Sequence, residues 1–258
     1  MNKTSLALAA LACACTGAAR ADAGGDPAVV PYRPSVSTPA QLSAPGWLEL
    51  EAGGLRATGP DSGTSRTTLP YTLKLAFTPD WGIRVGGDAW VRQAAAGGSQ
   101  ASVGDTAVVL KRRFASSDAT AWGLELGETF PTARDSVGIG HAQTTVNGIF
   151  SSDFAPGWHT DINVNETRQG RSGSQASAWQ AGWAAAVSRN LSDAWGAVGE
   201  LSGTHQAGAP GQSQFLAAAS WNESNAAVFD LGAAHGLNSA SPRWQVFAGV
   251  TLRLARLF

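Results

Sequence analysis

Trp244-Gln245-Val246-Phe247-Ala248-Gly249-Val250-Thr251-Leu252-Arg253-Leu254-Ala255-Arg256-Leu257-Phe258 closes the chain. Read two apart, Trp244, Val246, Ala248, Val250, Leu252 and Leu254 are apolar, whereas the interleaved Gln245, Phe247, Gly249, Thr251 and Arg253 are mostly polar. A period of two marks a strand with one apolar and one wet face. A strand this apolar at the edge of a soluble sheet would invite edge-to-edge pairing, and only a closed barrel has no edges. The rest of the chain is therefore read against a barrel that this strand closes.

Composition fits that reading. Charged residues are 14% of the 258, well below the roughly 25% of soluble proteins. No apolar run reaches the ~20 residues of a membrane-spanning helix, so alternating strands are the remaining route into lipid. The net charge of -1 gives no reason to expect a nucleic-acid partner. Met1-Asn2-Lys3 followed by the apolar Leu6 to Ala19 reads as a secretory signal peptide, residues 1–23, cut after Ala23 or, second, after Ala21. Cys13 and Cys15 both fall inside it, and Ala10-Leu11-Ala12 is a poor lipoprotein lead-in. The remaining chain has no cysteine, hence no disulfide and no thiolate metal site. Residues 24–46 carry Pro27, Pro31, Pro34, Pro39 and Pro45 and have no period. They should be extended and unpaired, either hanging in the periplasm or folded into the barrel as a plug.

From Trp47 the sequence reads as twelve alternating segments, 47–56, 66–77, 81–92, 102–114, 120–130, 141–154, 158–168, 178–190, 194–206, 212–223, 225–235 and 243–258. Each is long enough for a tilted membrane-crossing strand. Short turns such as Thr78-Pro79-Asp80 and Ala155-Pro156-Gly157 alternate with longer Gly/Ser/Gln-rich loops such as Gln93 to Ala101 and Gln169 to Ser177. An even strand number with short turns on one side and long loops on the other is how bacterial outer-membrane barrels are built, with both termini in the periplasm. Phe77, Trp81, Phe114, Trp122, Phe154, Trp158, Trp195, Trp221 and Phe258 fall at the short-turn ends, and Phe130, Trp179, Trp183, Phe215 and Trp244 near the long-loop ends, all on the apolar parity. Two aromatic rings bounding an apolar band are interfacial girdles. The expected architecture is all-β, a 12-stranded antiparallel up-and-down transmembrane barrel over residues 47–258.

The polar parity carries charges of both signs, among them Glu49, Glu51, Lys74, Arg84, Asp88, Lys111, Glu125, Glu200, Asp230 and Arg253. In a wet lumen they can pair. The belt is read either as structural or as a selectivity constriction. Trp90 and Phe247 depart from the outward rule. Beside Asp88 and Gln245 they make a candidate contact patch for an aromatic or apolar solute, or they fill space. The candidate lumen-lining set is thus Trp90, Phe247, Asp88, Gln245, Arg84, Lys74, Glu49, Glu51 and Arg253. Twelve strands lie between the eight that side chains fill and the sixteen to eighteen of open porins, so a narrow channel is expected.

Catalysis is not expected. A histidine and a serine two apart on one strand would suit a lipid-cleaving barrel, and none of His141, His159, His205 and His235 has that partner. His159 and Asp161 share a face and fit a base with its orienting carboxylate, without an assignable nucleophile. Gly138-Ile139-Gly140 lacks the following helix of a phosphate cradle, no spacing matches a metal site, and no cofactor is implied.

Gly249, Leu252, Leu254 and the terminal Phe258 resemble the C-terminal assembly signal of outer-membrane barrels, which implies the barrel-assembly machinery as a partner beside lipid and a small-molecule solute. Arg33-Pro34-Ser35-Val36-Ser37-Thr38-Pro39, then Pro45-Gly46-Trp47-Leu48-Glu49-Leu50-Glu51, resemble the opening of a family of bacterial outer-membrane transporters linked to the meta-pathway of phenol degradation. Gly104-Asp105 and Glu128-Thr129-Phe130-Pro131-Thr132 are similar to its later blocks, although Ala133 stands where the family commonly has glycine. The resemblance implies an outer-membrane channel or transporter, with aromatic or apolar compounds as cargo. A structural barrel that binds partners through its loops is the alternative.

Overall fold

The computed structural model describes residues 25–61, 63–134, 137–169 and 177–258, so the expected leader, residues 1–23, lies outside the described residues. The strands are β1 (Trp47–Thr58), β2 (Ser65–Ala76), β3 (Trp81–Ala95), β4 (Gly98–Ser102), β5 (Thr106–Ala115), β6 (Thr120–Phe130) and β7 (Gln143–Ala155). They continue as β8 (Trp158–Arg168), β9 (Trp179–Asn190), β10 (Trp195–Gln206), β11 (Gln212–Ser224), β12 (Ala227–Gly236) and β13 (Trp244–Arg256). Every pairing between these strands is antiparallel, and β1 pairs both β2 and β13, so the sheet closes on itself. Twelve strands form the ring, and β4 pairs only with the outer part of β3.

β13 has the two faces its alternation demands. Trp244, Val246 and Leu254 are exposed on the outside, while Phe247 and Thr251 are buried on the inside. The fourteen girdle aromatics are all exposed outside. Between them lie Leu110, Leu126, Val146, Val164, Val187, Leu201 and Leu231, also exposed. So continuous an apolar exterior is stable only in lipid. Leu231, 66% exposed and mid-strand in β12, gives a direct check. Leu231→Arg should destabilise the barrel by about 2–4 kcal/mol, read as a lowered denaturation midpoint in lipid vesicles; an unchanged midpoint would place that face in water.

Two departures from the expected strands share one region. Instead of a loop over 93–101, β3 runs on to Ala95 and doubles back as β4, with Gly98 at φ 132° in the turn. The β2–β3 register also slips between Leu69↔Trp90 and Pro70↔Asp88. Pro70 has no N–H to give the ladder, and a bulge forms opposite it. The extra residue inverts the parity beyond it: Val91 is fully buried and Trp90 is 38% exposed, paired with the outward Leu69. Trp90 therefore belongs to the outer surface, not to the lumen.

Gly46 (φ 80°) joins the ends of the barrel. Its N–H donates to Ala76 O, its carbonyl accepts from Leu257 N, and a Cβ there would stand 3.2 Å from Phe258 Cδ2. The Pro-Gly-aromatic lead-in is thus the place where the last residues lock onto the first strand.

Candidate functional site

Residues 25–45 lie within the ring, and inward-facing side chains bind the backbone N–H groups of Val30, Tyr32, Val36, Ser37, Thr38 and Ala40. At the short-turn end Asp26 pairs with Arg253 at 3.0 Å, Arg253 also donates to Pro27 O, and Val29 N donates to Asn225 O. Val30 N and Tyr32 N donate to Glu49 and Glu51. Further along, Val36 N and Ser37 N donate to the two oxygens of Glu200, and Ser37 Oγ adds a third bond at 2.7 Å. Thr38 N donates to Asn163 Oδ1 while Asn163 Nδ2 donates back to Thr38 O, each at 2.9 Å. Ala40 N reaches Ser151 Oγ on β7. The chain then returns to the short-turn end, where Pro45 bridges Ala76. A proline-rich segment cannot satisfy its own backbone, and buried N–H groups need acceptors. The carboxylates of the wall supply them, through charge-assisted bonds that are stronger than neutral ones.

Two further contacts fix the segment sideways. Arg33 makes paired 2.9 Å bonds from Nε and Nη2 to the carboxylate of Asp230. Its guanidinium lies over Gly53 and Gly249, partners in the β1–β13 register, where added Cβ atoms would stand 3.0 Å from Nη2 and 2.6 Å from Cζ respectively. Tyr32 sits between two ammonium groups, Lys74 at 4.3 Å and Lys111 at 4.2 Å from its ring centroid. Its hydroxyl donates to Gln41 O and accepts from Lys111 Nζ. Burial pushes the Tyr32 phenol up, so it stays protonated and keeps that donor.

These contacts reassign the expected lumen-lining set. Glu49, Glu51 and Lys74 are buried beneath the segment, with Lys74 bonded to Glu51 at 2.6 Å and to Glu49 at 3.1 Å, so they do not face solute. Arg253 is spent on Asp26 and Pro27, above the Trp47 ring. Phe247 packs into the wall with Leu216 and Ala234, Gln245 bonds Gln214, and Asp88 lies 3.7 Å from Arg66. Arg84, paired with Glu125 at 2.9 Å, lines open space. Arg33, Tyr32, Ser37, Asn163, Glu200 and Asp230 do the holding. The sequence marked Glu200 and Asp230 only as polar-parity positions, and nothing local marks their partners.

The segment divides the remaining lumen. Towards the long loops lies a cavity of about 400 Å³ bordered by Val36 and Thr38, and by β6 to β11 and the loop residues Ser241 and Pro242. Towards the short turns lies one of about 320 Å³ bordered by Ser35, Ser37 and Pro39 and by β8 to β12. No residue borders both. The other side, from Leu42 and Ser43 to β2, β3 and β5, retains a gap of only about 10 Å³. A path through the barrel therefore follows the β8–β12 wall and is crossed by Val36 to Pro39.

No family model and no curated protein matches the chain. Among solved structures it is similar to the NanC porin (TM-score 0.60, 9% identity, 80% of this chain and 100% of that one). It is also similar to the KdgM porin in complex with oligogalacturonate (0.56, 7%, 80% and 99%) and to the translocator domain of the autotransporter NalP from Neisseria meningitidis (0.52, 9%, 81% and 88%). The chain has the outer-membrane β-barrel fold. At such identities the likeness is one of fold, shared by proteins of different roles.

The blocks of the sequence resemblance meet in this barrel. Thr132 Oγ1 donates to Gly104 O, and the Asp105 carboxylate accepts from Ala133 N and Ile139 N, tying the loop after β6 to the start of β5. The His159 cluster has the wrong order for catalysis. Ser151 Oγ donates to Asp161 rather than to the imidazole, and it is fully buried. His159 has carboxylate oxygens at both ring nitrogens, Asp153 at 2.6 Å and Asp161 at 3.1 Å, so neither nitrogen is directed at a hydroxyl. Among the described residues no group of three or more His, Cys, Asp or Glu would hold a metal.

Proposed function

We propose that this chain is an outer-membrane channel for small molecules whose own N-terminal segment holds it shut. The observation that carries the proposal is the crossing of the lumen by Val36 to Pro39 between two cavities in a barrel with an apolar exterior. A barrel serving only as a lipid anchor has no need for cavities on both sides of a polar, detachable seal. Residues 1–23 act as the exported leader, both termini face the periplasm, and the terminal Phe258 strand engages the assembly machinery. The protein is not an enzyme on this reading, in keeping with the Ser151–Asp161–His159 order. A loop-mediated binding barrel is the weaker alternative, because the loops are short and nearly free of aromatics.

An aromatic or apolar cargo is a second reading. It is supported by the likeness to the phenol meta-pathway family and by the apolar patch of Leu55, Val198, Leu216 and Phe247 on the inner wall. Swelling of proteoliposomes loaded with an impermeant polymer tests the channel itself. The full chain should admit small solutes slowly, and the chain lacking residues 25–45 rapidly. A barrel that admits none in either form would overturn the proposal.

A further inference from the structure

The long-loop cavity has chemistry of its own. Its border is made largely of amides and hydroxyls, with Thr145, Asn147, Asn165, Ser202, Thr204 and Gln214 contributed by four strands. The two charges on it, Arg84 and Glu125, neutralise each other at 2.9 Å. Neither a carboxylate nor a cation finds an uncompensated partner here, and no inward aromatic ring offers a stacking face.

Two buried polar atoms of its border residues are left without a partner. Asn163 is oriented by its two bonds to the Thr38 backbone, so its Oδ1 is an acceptor. Asn147 turns its Nδ2 towards that oxygen at 3.3 Å and towards Glu125 Oε2 at 3.0 Å. The orientation of Asn147 is thereby settled, and its Oδ1 is buried with no hydrogen-bond partner, as is Nε of neighbouring Arg84. Asn147 is 9% exposed. A buried acceptor left unpaired costs about 1–3 kcal/mol, and a hydroxyl, donor and acceptor in one group, can satisfy such an atom.

We infer that this cavity is a binding site for an uncharged polyhydroxylated solute of mono- to disaccharide size, with a hydroxyl donating to Asn147 Oδ1. About 400 Å³ is within the range of small-molecule sites. The inference rests on the channel reading for its purpose but not for its chemistry. Because Asn163, to which Asn147 donates, also holds Thr38, a solute on Asn147 bears on the contacts that seat the segment.

The test is saturation-transfer NMR and calorimetry on the refolded full chain in detergent, with glucose and sucrose against phenol, benzoate and glucuronate. Saturable binding of the sugars is expected, with the two acids and phenol at least tenfold weaker. Asn147→Leu, similar in size but without the acceptor, should weaken sugar binding about tenfold, the equivalent of one hydrogen bond. If that variant fails to fold, Gln214→Leu, on another strand of the same wall, should weaken it severalfold. Preferential binding of phenol would overturn the inference in favour of the aromatic cargo, and binding of none would overturn it outright. Proteoliposome swelling separates the two readings: swelling without sugar binding removes this site and spares the channel, and binding without swelling does the reverse.

Discussion

Removing residues 25–45 should convert a barrel that opens rarely into one that conducts steadily in planar bilayers, with time-averaged current rising by about 10²-fold or more. The segment is held by three charge-assisted anchors, at Glu200, at Asp230 and at the Glu49/Glu51/Lys74 group. Hydrogen bonds to charged groups are worth about 1.5–3 kcal/mol each. Two such anchors, after the entropy of ordering the segment is offset, leave the undocked state well below ~1%. The ring itself should survive, because its strand ladders contain none of the deleted residues. The stranded carboxylates then face water, where Lys74 still pairs Glu49 and Glu51. Unchanged current on deletion would mean that the segment does not bar the path.

Asp230→Ala should raise the ratio of open to closed time by roughly thirtyfold, the equivalent of about 2 kcal/mol. It removes both acceptors of the Arg33 guanidinium. The lower part of the charged-bond range applies because the Arg33 side chain is 18% exposed and can turn to water. Gly249→Val provides an independent route to the same result with every charge kept. Its side chain would occupy the place of the guanidinium, which a bare Cβ already meets at 2.6 Å. Both variants should leave the denaturation midpoint of the barrel within about 1 kcal/mol of wild type, since the ladder is intact. Open times unchanged in both would mean that Arg33 is packing, not a latch.

What the sequence disclosed follows from the lipid. Facing hydrocarbon on every strand, Val246, Val250 and Leu254 in β13 or Leu124 and Leu126 in β6 must be apolar at every second position, and that regularity is visible without coordinates. Trp90 was misplaced because a single extra residue opposite Pro70 shifts parity, and a proline in the partner strand is a non-local cue. The extension of β3 into the β4 hairpin lies beyond the band, where alternation is no longer imposed. The segment before β1 was least legible. Pro31, Pro34 and Pro39 abolish any period, and its partners, such as Asp230 for Arg33 and Glu200 for Ser37, lie more than 160 residues away. The positions of those carboxylates on the inner parity were readable; what they hold was not. The glycines make the same point. Gly249 reads in the sequence only as part of the terminal assembly signal, and in the structure it and Gly53 make room for the guanidinium of Arg33.

The central claim is that Ser35 to Pro39 crosses the lumen and is packed against Glu200 and Asn163. Residues 25–258 contain no cysteine, so Ser37→Cys, at a position 1% exposed, is a clean reporter. Reaction of the folded barrel in detergent with a water-soluble maleimide should be at least a hundredfold slower at this site than at Gly97→Cys in the outer turn between β3 and β4, and should become equal in denaturant. Equal rates in the folded barrel would contradict the account, because the segment would then lie in open solvent and the lumen would be sealed by something else or not at all.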